Sequence, residues 1–250
     1  MKKIFATAII AFLLLTSCSS NENNSNAKSN NKKALGSSAH DLLSEDKFDS
    51  MVVEIVYVQG YEPTAASINN FLSFLNSRVY KSGGITVNKR AIASPGNESY
   101  TDAQVRAIED ANRVYYNEGS QIAVWAFFAD AKSSKDTNTS VVLGTAYRNT
   151  SFVIYENTIR KLSTGINKPS TTVLESTVIQ HEFGHIFGLT NVGTALQSDH
   201  EDSNHKRHCI NSNCLMYWEA ESGSKLLGGT IPHLDGDCIA DLLANGGKKL

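Results

Sequence analysis

Apolar positions gather into two dense runs. Val52, Val53, Ile55, Val56 and Val58 fill residues 51–58, and residues 121–128 are as strongly apolar. Runs of this length with few polar gaps predict strands covered on both faces. Elsewhere the period is helical. Ile68, Phe71, Leu72 and Leu75 recur through residues 64–79. Val105, Ile108, Ala111 and Val114 recur through 102–116, behind Thr101 as an N-cap. Residues 85–92 predict a strand after Gly83-Gly84, and residues 140–147 and 151–155 predict two more about a turn at Asn149-Thr150. Pro169 places residues 167–170 in a loop. A helix then starts near Thr172, whose spacing to Glu175 fits a capping box. A last short helix is expected over residues 237–244. Alternation followed by clustered strands predicts an α+β domain, α/β-like in its N-terminal part, with a mixed sheet.

The first forty residues follow another pattern. Lys2 and Lys3 precede an apolar run over residues 4–15, which suits a signal-peptide h-region and is short for a membrane span. It ends in Leu15-Thr16-Ser17-Cys18. This resembles the lipobox of bacterial lipoproteins, which implies that residues 1–17 are removed and Cys18 carries lipid. Residues 19–40 hold six Asn and six Ser and no aromatic residue. Such a stretch buries little apolar surface, so residues 18–47 are expected to be a lipidated tether. The folded domain is placed at 48–250.

Composition excludes several classes. At 41% hydrophobic and 19% charged, the 250-residue chain is neither collagen-like, wholly disordered nor polytopic. A pI near 6.4 supplies no electrostatic drive towards nucleic acid. Removing Lys2 and Lys3 from 23 basic residues leaves 21 against 25 acidic, a charge of −4.

The chemistry concentrates in His181-Glu182-Phe183-Gly184-His185. Two histidines four apart on a helix project from one face about 6 Å apart, within reach of one zinc ion. Glu182 lies about 100° round the helix, where a general base reaches water without displacing it. Gly188 can take positive φ and end the helix. Here the sequence resembles the metzincin clan of zinc peptidases, whose pattern runs HExxHxxGxxH or HExxHxxGxxD. The expected third ligand position is Asn191, a poor zinc ligand. Five of the seven histidines nevertheless fall between 181 and 208. The last heads His208-Cys209-Ile210-Asn211-Ser212-Asn213-Cys214-Leu215-Met216. That segment resembles the archaemetzincin continuation HCx4CxM, after an insertion of nineteen residues, 189–207.

The resemblance implies a mostly parallel sheet with an antiparallel edge strand, packed on a zinc-binding active-site helix. It implies His208 as third ligand beside His181 and His185, with His200 the alternative, and Met216 as the methionine beneath the metal. Glu182 becomes the general base. The strand ending at Tyr147 becomes the edge that pairs with extended substrate. Trp218 stands where some metzincins keep a tyrosine, and Tyr217 is a weak substitute. Archaemetzincins also hold a second zinc on cysteines. Here Cys209, Cys214 and Cys238 are present, with Asp241 where a fourth cysteine would be. A second structural zinc and a disulfide with one free thiol are both open, and an oxidising envelope favours the disulfide.

The expectation is a monomeric zinc metallopeptidase of the bacterial cell envelope, lipid-anchored to the membrane and acting on peptides or proteins. The alternative is a non-catalytic zinc-binding envelope lipoprotein, which would not need Glu182.

Overall fold

The computed structural model describes residues 27–220 and 229–248. The expected signal segment and Cys18 lie outside these residues. Five strands form one sheet in the order β2-β1-β4-β7-β6. They are β1 (Ser50–Val58), β2 (Gly84–Ile92), β4 (Gln121–Phe128), β6 (Gly144–Arg148) and β7 (Ser151–Ile154). The pairs β1–β2, β1–β4 and β4–β7 are parallel, and the edge strand β6 runs antiparallel to β7. The two apolar runs become the adjacent central strands β1 and β4, almost wholly buried. Two short strands, β3 (Ser99–Tyr100) and β5 (Lys132–Ser133), pair separately.

Helices α2 (Ala65–Asn76) and α5 (Thr171–Ile186) pack together on one face of the sheet. Every residue of α5 from Leu174 to Ile186 is buried. Its apolar residues spread round the helix instead of forming one stripe, and its polar ones face partners inside the fold. Phe183 fastens it, with ring centroids 5.1 Å from Phe71 of α2 and 6.2 Å from Phe152 of β7 in edge-to-face geometry. The remaining helices are α1 (Ala39–Leu43), α3 (Asp102–Asn112), α4 (Glu156–Leu162) and α6 (Gly236–Ala244). Among the described residues no helix is long and apolar enough to cross a membrane.

Four expectations change. Ser170, not Thr172, caps α5 by accepting from Val173 N. Glu175 is used across the interface instead, accepting from Thr64 N at 3.0 Å and Thr64 Oγ1 at 2.6 Å. Helix α3 stops at Asn112 rather than reaching residue 116, because buried Glu54 of β1 captures the Val114 and Tyr115 N–H groups. Strand β6 begins at Gly144, since residues 137–140 form a turn closed by Thr137 N to Ser140 O.

The largest difference concerns the expected tether. Residues 27–47 belong to the folded unit. Leu42 and Leu43 are in the core, and Asn31 is wholly buried. The Asn31 amide donates to Ala123 O, Thr150 Oγ1 and Asn117 Oδ1 at 2.9–3.1 Å. Asn149 bonds back to Asn30 O and Ser38 Oγ. An asparagine-rich stretch is here a set of backbone-mimicking hydrogen bonds over the sheet's end.

Candidate active site

Helix α5 ends in a Schellman motif. Leu189 N donates to Gly184 O and Gly188 N to His185 O, with Gly188 at φ 74°. A side chain at Gly188 would also run into Thr194 N at 2.7 Å. The turn sends the chain into the 189–207 insertion and back to His208. One ligand nitrogen each from His181, His185 and His208 then lies within 4.8 Å of the others.

The protonation of this set follows from its partners. His181 Nδ1 lies 2.7 Å from Leu215 O, and a carbonyl only accepts, so Nδ1 carries the proton and Nε2 keeps its lone pair. His208 Nδ1 faces the carbonyls of His205 and Lys206 at 3.2 and 3.1 Å, with the same result. His185 Nε2 sits 3.2 Å from His181 Nε2, and His185 Nδ1 is buried without a hydrogen-bond partner among the described residues. Burial, then the charge of His208, pushes His181 down to about 3. Burial and the neighbouring histidines and Arg207 hold His185 well below the usual range, and burial lowers His208. Three neutral imidazoles with converging ring nitrogens are the donor set a tetrahedral zinc site uses, with a fourth position left over.

His200 is elsewhere. Its Nε2 bonds Asp241 Oδ2 at 2.8 Å, and it sits beside Cys209. His205 pairs with Asp202 at 2.8 Å and stacks on Trp218 with centroids 4.0 Å apart.

Beneath the histidines lies Met216, fully buried. A Cβ on Gly184 would stand 2.3 Å from its sulfur, so the glycine between the two helix histidines is the slot for this methionine. The sequence marks this position only as a glycine inside a helical pattern.

Glu182 faces the edge strand. Its Oε2 accepts from Ala146 N at 2.6 Å, and a Cβ on Gly144 would stand 2.6 Å from its Cγ. In an antiparallel pair, alternate residues turn both backbone groups towards the partner strand. Leu143 turns its carbonyl to Tyr155, so Gly144 and Ala146 turn theirs away from β7, on the free edge. A cleft of about 320 Å³ runs between this edge and the histidines, walled also by Leu35, Arg207 and Trp218. Leu35 comes from the segment expected to be a tether.

A second donor cluster adjoins the first. Cys209, Cys214, Cys238 and Asp235 each place a ligand atom within 4.8 Å of the others. The fourth member is Asp235, not Asp241. Asp241 lies one turn along α6 and is committed to His200 and Gln197 N. Asp235 caps α6 through Cys238 N, and its Oδ2 accepts from the Cys209 thiol at 3.2 Å. All three cysteines are free thiols, with Cys214 and Cys238 sulfurs 3.6 Å apart. The close Cys209 and Cys238 sulfurs hold the Cys214 thiol well below its ordinary range. Three sulfurs and a carboxylate fit a closed structural zinc site. The cluster fixes Leu215 and Met216, because Met216 N approaches Cys214 Sγ and Met216 O accepts from Cys209 N.

Compared by sequence, the chain matches no protein-family model and no curated protein. Compared by structure, it has the archaemetzincin fold. Archaemetzincin from Methanopyrus kandleri superimposes with a TM-score of 0.50 at 18% identity, over 79% of this chain and 96% of that one. A zinc-dependent peptidase from Methanocorpusculum labreanum gives 0.46 at 12%, over 76% and 99%. Metalloproteinase-II from Bacteroides fragilis gives 0.43 at 13%, over 81% of this chain and 55% of that one. The expected α+β architecture, a mostly parallel sheet with an antiparallel edge strand, is the one observed.

Proposed function

We propose that this chain is a zinc-dependent peptidase with Glu182 as its general base. The observation that carries the reading is the meeting of two features at one cleft: three converging neutral imidazoles, and a carboxylate on the free edge of a strand. His181, His185 and His208 would hold the metal. Zinc, when bound, supplies a Lewis acid that polarises a carbonyl and acidifies water. The outward backbone groups of Gly144 and the carbonyl of Ala146 pair with an extended peptide by strand addition, which selects conformation more than sequence. Glu182 takes a proton from the attacking water and delivers it to the departing amine. Leu215 O fixes the tautomer of His181. A second zinc on Cys209, Cys214, Cys238 and Asp235 would hold the floor under the first. Lipid on Cys18 would tether the enzyme to the bacterial envelope.

The test is hydrolysis of a fluorogenic peptide library by purified protein, with and without chelator. Chelator-sensitive cleavage, restored by zinc, is expected. Zinc-loaded protein that cleaves nothing leaves the non-catalytic zinc-binding reading.

A further inference from the structure

The cleft carries one cation, Arg207, that forms no ion pair among the described residues. Arg207 lies on its wall, exposed, immediately before His208. Three other arginines meet carboxylates, Arg90 at Glu54 and Arg113 and Arg148 at Glu109, and Arg106 lies on Tyr147 and donates to its carbonyl. Among the described residues no oxygen takes a hydrogen bond from the Arg207 guanidinium. Nearby carboxylates are committed elsewhere. Glu182 is bonded to Ala146 N, and Asp202 pairs with His205. Glu201 accepts the Arg207 backbone N–H at 2.9 Å and reaches Asn191 and Lys206 with its other oxygen.

The backbone beneath this side chain is fixed. Arg207 takes φ 70°, a conformation that costs a branched or long residue energy unless its surroundings impose it. They do so from both sides, through Glu201 on the N–H and the Thr190 hydroxyl on the carbonyl. The following residue is held too, since Asp202 N donates to His208 O at 2.8 Å. A guanidinium on an anchored base, beside His185, is a planar fork that meets a carboxylate through two parallel hydrogen bonds.

We infer that Arg207 is the specificity residue of this cleft, and that it reads a carboxylate on the substrate near the scissile bond. The inference rests on the peptidase reading above. The carboxylate has two sources, an acidic side chain or a free C-terminus. Both present the same group to the guanidinium, and both are disfavoured by desolvation at a cleft lacking a cation.

The experiment measures binding, so it does not depend on turnover. Zinc-loaded Glu182→Gln protein is titrated with labelled peptides that differ in one group. One arm exchanges Asp for Asn at each position in turn, and the other exchanges a C-terminal acid for an amide. Peptides carrying the recognised carboxylate are expected to bind about tenfold or more tightly than their neutral partners. Arg207→Asn, a residue that tolerates positive φ, is expected to abolish that preference with neutral-peptide affinity and zinc content unchanged. Arg207→Lys should keep part of it. The arm that shows the preference identifies the source. Equal binding of acid and neutral peptides by the Arg207 protein overturns the inference without any variant. So does an Arg207→Asn protein that loses affinity for all peptides alike. Acid-selective binding by a wild-type protein that hydrolyses nothing would instead overturn the peptidase reading and leave the carboxylate site standing.

Discussion

Glu182, on the buried helix α5, accepts a 2.6 Å hydrogen bond from the backbone N–H of Ala146 on the free edge of the sheet. The proposed base and the proposed substrate-binding strand are therefore directly joined. Glu182→Gln keeps the shape of the side chain and an oxygen for that bond, but cannot take a proton. It is expected to retain zinc and to lose hydrolysis by roughly a hundredfold to ten-thousandfold. Initial rates beside elemental analysis check this. Wild-type rates from the Gln protein would remove Glu182 from the chemistry.

Gly184→Ala should destabilise the protein although alanine is the better helix former. The added methyl meets the Met216 sulfur at 2.3 Å. Overpacking of this kind costs about 1–3 kcal/mol. Urea unfolding measures the loss, and combining Gly184→Ala with Met216→Ala should recover part of it. Additive losses would show that the two residues are not coupled.

Asp235 and Asp241 give opposite expectations for metal content. Asp235→Asn keeps an N-cap for α6 but removes a charged oxygen from the cysteine cluster. It is expected to lower zinc per chain after dialysis. Asp241→Asn should leave zinc in place and loosen the insertion instead, because Asp241 holds His200 and Gln197. The reverse pattern would restore Asp241 as the fourth ligand.

The carboxyl of Glu156 faces Glu175 in the core, and burial followed by the Glu175 charge pushes it up to about 9. Arg160 Nε donates to its other oxygen, and Thr64 supplies both donors to Glu175. The native state therefore holds a proton that the unfolded chain releases near the ordinary value of 4.5. That stabilisation is complete below about pH 4.5 and is lost as pH rises through about 9. Urea midpoints between pH 5 and 9 should fall for wild type and fall less for Glu156→Gln. Parallel slopes would mean that Glu156 is not the group.

Asn31→Ala removes three donated bonds from a wholly buried amide, and strands Asn117 N, which donates to Asn31 Oδ1 at 2.9 Å. A loss of about 1–3 kcal/mol is expected. An unchanged unfolding midpoint would show that the segment is merely laid on the surface.

Much of this architecture is written in local pattern. The apolar runs of β1 and β4, the Thr101 cap of α3 and the His181–His185 spacing need no distant partner to be read. The residues that escaped are those whose partner lies far along the chain. Glu175 has the spacing of a capping box, yet Thr64 claims it from 111 residues away. Asp235 belongs to no cysteine motif and enters the cluster because it caps the helix that carries Cys238. Asn31 and Asn149 read as linker and turn, since composition cannot distinguish a solvated amide from one bonded across a sheet. Arg207 is visible only as a basic residue beside a histidine until folding places it on the cleft wall, with no ion pair among the described residues.

The wall contributed by Leu35 divides the cleft between two distant stretches of chain. Gly36, next to it, is pressed so closely on Val192 that an added Cβ would stand 1.8 Å from the Val192 carbonyl oxygen. A single cut between Leu35 and Gly36 would leave every histidine, Glu182 and Met216 in place. Leu35 would then be held through the bonds of Asn31 and Lys33 to the sheet's end. One side of the pocket therefore rests on hydrogen bonds to Ala123 and Asn149 at the sheet's end, and not on the stretch of chain that carries the histidines.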